Sequence, residues 1–486
     1  MPELSPRRRL LVLGICCMSL LIVGMDSTIV NVALPSIGRS LHASVSDLQW
    51  TIDAYTVVLA GLLILSGSTG DRLGRKRTFM TGLVVFVLGS LLCSAAPSLG
   101  WLVAFRALQA VGGSMLNPIA MSIITNVFTD PRERARAIGV WGGVVGLSLG
   151  LGPIVGGALT ESVGWRSIFW INAPIGLAAF VLTAIFVPES RAVRPRRVDP
   201  VGQILVITLL TSLTYAIIES PRSGWGSTAV LAPLAVAAAA LAALLIYEPR
   251  RDQALIEFRF FRSIPFSGAT LSAVCAFGGY SGFLFLNTLY LQDVRGLSPL
   301  QAGLVTAPMA LMVLVGAPLS GRLVGSRGPR LPLVCSGLAL VAGAAMLADL
   351  TTTTSTGWLI TSYTIFGIGF GLVNPPITNT AVSGMPRSQA GVAAAFASTS
   401  RMIGTSFGVA VIGSLINSGT GGQLGAGVVP RSHVAEAVVM GCGLAVAVLG
   451  VLTTTRRAKR TAEHTAQLLG DANVESVSDQ AEVVVA

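Results

Sequence analysis

Histidine, lysine and charge in general are scarce in this chain, and each scarcity removes a class of chemistry. The three histidines, His42, His433 and His464, all lie outside the apolar runs, which argues against a histidine proton relay or a zinc site within them. Neither of the two lysines, Lys76 and Lys459, sits in a Gly-x-x-x-x-Gly-Lys-Ser/Thr loop, so no phosphate cradle is present and ATP is not the expected energy source. The six cysteines (Cys16, Cys17, Cys93, Cys275, Cys335 and Cys442) fall inside apolar runs without Cys-x-x-Cys spacing. They read as small buried hydrophobes rather than disulfides or metal ligands, and no cofactor is expected. Charged residues amount to 11%, less than half the ~25% usual for a soluble domain.

What the chain has instead is hydrophobicity, at 52% of its residues. Fourteen apolar segments are legible, at 10–34, 48–69, 78–96, 101–126, 137–159, 168–187, 200–218, 228–247, 264–291, 300–321, 331–350, 357–381, 391–416 and 434–455. Most are long enough to span a bilayer as helices. The basic start followed by an apolar run resembles a signal peptide, but no small-x-small cleavage site follows, so the first segment is expected to be retained. The net charge of +11 is a topology signal rather than a mark of nucleic-acid binding. With the N-terminus inside, inner connections and tails hold 26 Lys and Arg, outer connections hold five, and Arg106 and Arg401 lie within segments. That asymmetry predicts a multi-pass protein with both termini cytoplasmic. The tail, 456–486, has no apolar periodicity and is expected to be disordered.

The chain repeats itself. Segment 4 contains Met115-Leu-Asn117-Pro118-Ile119 and segment 12 contains Leu372-Val-Asn374-Pro375-Pro376-Ile377, each followed by a Thr-Asn step. Asp71-Arg72-Leu73 after segment 2 matches Gly321-Arg322-Leu323 after segment 10. These offsets predict two six-helix halves, 10–187 and 264–455, joined by 188–263 with two extra spans. Repeated halves with a site at their interface are the plan of a secondary transporter.

The stretch around Asp26 organises the rest. Asp26 follows sixteen uncharged residues, Leu10–Met25, and so lies ~24 Å along the first helix, in a bilayer core ~30 Å thick. Asp53 and Arg106 each lie about five residues past the outer ends of segments 2 and 4, at similar depth. An arginine in hydrocarbon needs a partner, and these are the acids at that level. The group is either a permanent strut between helices or a proton-coupling device. On segment 4, Arg106, Gln109, Gly113 and Asn117 share one stripe. In the second half, the position corresponding to Asp26 is Gly282 when Asn31 is paired with Asn287. Arg401 lies mid-way along segment 13 on a face of small residues, placed either to meet a polar substrate group or to bond backbone carbonyls.

The loop after segment 2 reads Gly67-Ser-Thr-Gly-Asp71-Arg72-Leu-Gly74-Arg75-Lys76-Arg77, a carboxylate among four cations at the inner surface. This loop resembles the hallmark loop of the major facilitator superfamily. Asp26-Ser-Thr-Ile-Val-Asn-Val-Ala-Leu-Pro35 is similar to the first-span signature of its fourteen-span drug/proton antiporters. Trp50-Thr-Ile-Asp53-Ala-Tyr55, Arg106-Ala-Leu-Gln109 and Gly296-Leu-Ser-Pro299 through Gly303 support the match. Segment 5, with Gly146, Gly150, Gly152-Pro153, Gly156 and Gly157, looks like the family's antiporter motif, where the two halves pack closely.

The resemblance implies an all-α membrane protein with the major facilitator fold and two additional central helices, fourteen in all. It implies proton-coupled export of small amphipathic drugs or antibiotics across a bacterial cytoplasmic membrane. Asp26, Asp53 and Arg106 would then couple protons. Gln109, Asn117, Asn287, Asn374 and Arg401 would line the substrate cavity, and the 67–77 loop would act as a cytoplasmic latch. The implied partners are a small-molecule substrate, protons and membrane lipid, with the protein monomeric. A dedicated exporter of one metabolite or self-made antibiotic, or a proton-coupled importer, would use the same machinery. A membrane enzyme would need a nucleophile–base or metal constellation, and no intramembrane histidine serves one.

Overall fold

The protein, as a computed structural model, is described over residues 5–191, 199–251, 258–383, 390–417 and 428–468, and every regular element among them is helical. The first group comprises α1 (Pro6–Leu41), α2 (Val45–Leu73), α3 (Arg75–Ala95), α4 (Leu99–Val127), α5 (Pro131–Ser162), the short α6 (Ser167–Trp170) and α7 (Asn172–Phe186). Then come α8 (Pro200–Ser223) and α9 (Thr228–Tyr247), which pack on each other. The second group is α10 (Ile264–Leu289), continued by a π-turn at Tyr290–Val294, then α11 (Pro299–Arg327), α12 (Arg330–Ala345), α13 (Thr356–Val382), α14 (Ala390–Asn417) and α15 (Val428–Leu452).

Local chemistry sets the helix ends. Ser44 and Asp47 form a capping box at the start of α2, and Ser298 and Gln301 do so for α11, each satisfying otherwise orphaned amides. Gly74, at φ 113°, permits the abrupt turn between α2 and α3 that an L side chain would strain. Between their ends the helices present apolar side chains on their outer faces, as lipid-exposed helices must. Leu88, Leu177, Leu245 and Leu338 are about half exposed, whereas α1 is almost wholly buried from Met25 to Gly38.

Among the described residues, twelve helices are long and apolar enough to cross a membrane. Two of the expected fourteen fall outside that set. The two parts of α2, Val45–Leu63 and Leu65–Leu73, meet at 51°, and α12 is a shorter apolar helix ending at Ala345 rather than near residue 350.

One packing scheme occurs twice. In the first group α1 packs on α5, α2 on α4 and α3 on α7; in the second, α10 packs on α14, α11 on α13 and α12 on α15. The two groups meet through α5 against α11 and α2 against α14, and α8 lies against both α2 and α14.

Polar contacts between the groups gather at the end remote from the termini. Arg39 Nη1 lies 3.1 Å from Asp293 Oδ1, and Gln292 Nε2 donates to the Val32 carbonyl at 2.7 Å. Gln49 Nε2 donates to the carbonyls of Val409 (3.1 Å) and Ala410 (2.8 Å), and Asn417 Nδ2 donates to Ser46 Oγ at 3.0 Å. Glu161 Oε2 accepts from Ser298 Oγ at 2.6 Å and from the Leu300 amide at 3.1 Å. That end is closed.

The tail departs from expectation. Residues 456–468 form a further helix, α16, rather than a disordered start to the tail. Ala458, Ala462 and Thr465 are buried along one face while Arg456, Arg457, Lys459 and Arg460 are exposed, and the Ile264 amide donates to Thr461 Oγ1 at 3.1 Å. Small residues at i, i+4 and i+7 make a narrow packing stripe that a search for apolar periodicity overlooks. The remainder, 469–486, lies outside the described residues.

Candidate functional site

Asp26 is brought to its partners by helices α1, α4 and α7. Its side chain is fully buried, as is that of Arg106. Arg106 Nη1 lies 2.5 Å from Asp26 Oδ2, while Gln109 Nε2 (2.8 Å) and Asn172 Nδ2 (3.1 Å) both donate to Asp26 Oδ1. Arg106 and Gln109 are one helical turn apart and linked by Arg106 Nη1 to Gln109 Oε1 at 2.7 Å. Asn172 also donates to Ser90 Oγ at 3.0 Å, and Ser90 Oγ donates to the Phe169 carbonyl at 2.9 Å, which ties in α3 and α6.

Two features hold the guanidinium from the opposite side. Arg106 Nε donates to the Thr51 carbonyl at 3.2 Å, and its carbon lies 4.2 Å from the centre of the Tyr55 ring. An arginine over an aromatic face in a dry site gains a cation–π attraction of ~2 kcal/mol. The ion pair therefore has hydrogen bonds on both members, the condition under which buried charges are tolerated.

Asp53 stands apart from this pair. It is fully buried, but its neighbours are Thr56, whose hydroxyl lies 3.5 Å from Oδ1, and Ser406 of α14 in the second group; among the described residues Oδ2 has no hydrogen-bond partner of good geometry. The expected trio is thus a pair plus a separate acid. The reason is helical phase: successive residues on α2 differ by ~100°, so Thr51 and Tyr55 face α4 while Asp53 faces α14.

The five expected cavity residues fall into separate places. Gln109 belongs to the Asp26 network. Asn374 accepts a short contact from Arg401 Nη1, which also reaches Thr378 Oγ1 at 3.2 Å, while Arg401 Nη2 reaches Ser398 Oγ at 2.7 Å. Beside this polar group Arg401 lies 5.9 Å from the Phe277 ring, and Phe370 is stacked on Tyr280 at 3.9 Å. Asn287 bonds within the second group, its Oδ1 accepting from Tyr363 OH at 2.8 Å. Asn117 is partly buried, and among the described residues its Oδ1 is unpartnered and no hydrogen bond joins it to the others.

In the α2–α3 turn, Asp71 pairs locally with Arg75 (Nη2 2.9 Å, Nε 3.1 Å). Sequence reading missed Glu189, which accepts from the Lys76 amide at 3.1 Å and lies 3.7 Å from Arg77 Nε. The Arg75 amide donates to the Ser190 carbonyl at 2.9 Å, so 189–190 anchors the start of α3. Gly67 approaches Pro118 of α4, and Arg72 also has a partner.

The α5 glycines face two ways. A Cβ on Gly146 would meet Leu314 Cα at 3.4 Å, one on Gly150 would meet Ala310 Cβ at 3.0 Å, and one on Gly157 would meet Leu300 Cα at 2.8 Å, all on α11; Pro153 lies against Gly303. Gly152 and Gly156 instead press on Thr28 and Ile29 of α1, within the same group, where no room exists for a methyl. Other residues missed in the sequence are Asn172, Ser90 and Tyr55, neutral groups in apolar context that only the Asp26 network makes conspicuous.

Comparison with known proteins places this arrangement in context. The sequence profile of the Major Facilitator Superfamily matches residues 16–409. The chain is similar to the tetracenomycin C resistance and export protein of Streptomyces glaucescens, at 37% identity over 82% of this chain and 74% of that protein. It is similar to multidrug resistance protein Stp of Mycobacterium tuberculosis at 34% over 84% and 76%, and to puromycin resistance protein pur8 of Streptomyces alboniger at 34% over 93% and 90%. Among solved structures, a bacterial homologue of the human lysosomal transporter Spinster, inward-facing and occupied, superposes with a TM-score of 0.66, covering 94% of this chain and 98% of that one at 18% identity, a likeness of fold.

Proposed function

Since this chain belongs to the major facilitator superfamily, we propose that it is a proton-coupled antiporter exporting small amphipathic drugs or antibiotics across the bacterial cytoplasmic membrane. The observation that carries this reading is the fully buried Asp26–Arg106 pair, held by hydrogen bonds from Gln109, Asn172 and the Thr51 carbonyl. Fourteen spans with both termini cytoplasmic result if the bent α2 and the short α12 also cross, and the charge asymmetry favours it. The closed end is then the outer one.

The pair works as a switch. Burial favours the neutral form of a carboxylic acid, and a neighbouring guanidinium favours the ionised form. With the outer end open, a proton reaches Asp26, cancels its charge and releases Arg106 from it. When the halves rock and the cytoplasmic end opens, Arg106 returns to the carboxylate, and the proton leaves inward. Substrate binding in the cavity near Arg401 and Asn374 favours the same release. Asp53, between α2 and α14, is the alternative carrier because it spans the moving interface. The 67–77 turn with Glu189 is the cytoplasmic latch, and Gly146, Gly150, Pro153 and Gly157 are the sliding face.

Relatives named for single compounds favour a second reading, in which one antibiotic is the dedicated cargo. A growth-inhibition panel in a host lacking its own pumps, including tetracenomycin C, methylenomycin A and puromycin, separates the two. Protection against several unrelated compounds supports multidrug export; protection against one supports the dedicated exporter; greater sensitivity in expressing cells contradicts export altogether.

A further inference from the structure

The first half does not hold all the buried acid. Glu436 of α15 is fully buried, and among the described residues neither of its carboxyl oxygens has a hydrogen-bond partner of good geometry. It also lies beyond residue 409, where the family profile ends. Asn287 of α10 is the polar side chain that approaches it, and Tyr363 of α13 lies beside it with its hydroxyl on Asn287 Oδ1.

The repeated packing gives this cluster a meaning. α10, α13 and α15 stand in the second group where α1, α4 and α7 stand in the first. Under the 257-residue offset that pairs Asn117 with Asn374, Tyr363 is the counterpart of Arg106. In the first group a carboxylate on the first helix meets a guanidinium on the fourth and an amide on the last. In the second group the amide is on the first helix and the carboxyl on the last, and a phenol replaces the guanidinium. A phenol and an amide offer hydrogen bonds but no charge. Tyr363 lies against the carboxyl, with Tyr290 and Arg295 of the π-turn on the far side of Tyr363, while Arg431 and the exposed His433 precede Glu436 on α15. Asp349, after α12, is exposed. Arg295 donates to the Thr354 carbonyl and to Tyr290 OH at 3.4 Å. An unpaired carboxylate is far costlier to bury than a carboxylic acid.

We propose that Glu436 is a second proton-binding site, un-ionised while the outer end is closed and ionised when that end opens. The π-turn links the two. It is tied to α1 through Gln292 on the Val32 carbonyl and Asp293 on Arg39, both at the closed end. Opening breaks those contacts and frees the segment carrying Tyr290 and Arg295, which brings water or the guanidinium to Glu436. The proton comes from and returns to the outer solution, so acid outside favours closure; it is distinct from the proton carried inward by Asp26. The proposal rests on the topology given under Proposed function.

The test needs no substrate. Spin labels on Val163 and Thr352, exposed on the two halves at the closed end, report its opening in purified protein in lipid. The closed population should fall as pH rises, by up to about tenfold per pH unit, the limit for one linked proton. Glu436→Gln, which mimics the protonated form, should stay closed and lose that dependence. In the infrared, the wild type should show the C=O stretch of an un-ionised carboxylic acid that Glu436→Gln lacks. Should Glu436→Gln not fold, Tyr363→Phe should still shift that band. A wild-type closed population independent of pH, an unchanged pH slope in Glu436→Gln, or a carboxylic acid band insensitive to both variants would overturn the proposal. Failure of drug-triggered proton release would contradict proton-coupled export but leaves these readouts intact.

Discussion

Asp26 has both oxygens occupied and its cation fixed from two sides, so its contribution depends on every partner remaining in place. Removing one member of a buried pair strands the other, at a cost of ~3–5 kcal/mol. Arg106→Ala should therefore lower the thermal stability of the purified protein sharply. Replacing both members with apolar residues of similar bulk, Asp26→Leu with Arg106→Met, should restore stability, because two desolvation penalties vanish with the attraction. The double variant should be folded and inactive. Wild-type efflux by that variant would mean that the pair is only a strut. Depth arithmetic made the pair legible in the sequence, since charge at mid-helix must find charge. Asp53 was misplaced because depth does not specify which way a side chain faces.

At the scale of the element, the α2–α3 turn and the α5 face make separate demands. Asp71 and Arg75 form a partly exposed pair, at 31% and 13%, and such pairs contribute ~0–1 kcal/mol to stability. Asp71→Asn should thus leave the melting temperature nearly unchanged. Its effect belongs to the balance between states, where a coupling of ~1–3 kcal/mol shifts the ratio 5- to 150-fold. Efflux should fall while the amount of inserted protein does not, and a wild-type efflux rate would reduce the loop to a topology determinant. On α5, Gly150→Leu should wedge against Ala310 and favour opening of the remote end, read as faster reaction of a cysteine introduced at Thr306 with an impermeant thiol reagent. Unchanged reactivity would mean that α5 and α11 do not part there. The glycine spacing was legible as a packing face. That it serves two partners, α11 and α1, was not, because a glycine carries no side chain to indicate direction.

For the molecule as a whole, the repeat and the charge asymmetry were the most legible features, because both are written in residue types rather than in rotamers. The start of the tail was not: α16 packs by alanine and threonine, which carry little apolar signal. Topology is tested with single cysteines at Ser227 and Arg191. An impermeant reagent should label the first from outside in intact cells and the second only after permeabilisation, whereas outside labelling of Arg191→Cys would reject the cytoplasmic assignment.

The central claim is that a carboxyl group of the first half carries the proton that drives export. Protein in liposomes enclosing a pH dye, presented with a drug identified by the growth panel, tests it most directly. The wild type should release protons on drug addition, and Asp26→Asn with Asp53→Asn together, less stable because Arg106 loses its partner but compared at matched amounts of folded protein, should bind drug and release none. Normal drug-triggered release from that double variant would contradict the account.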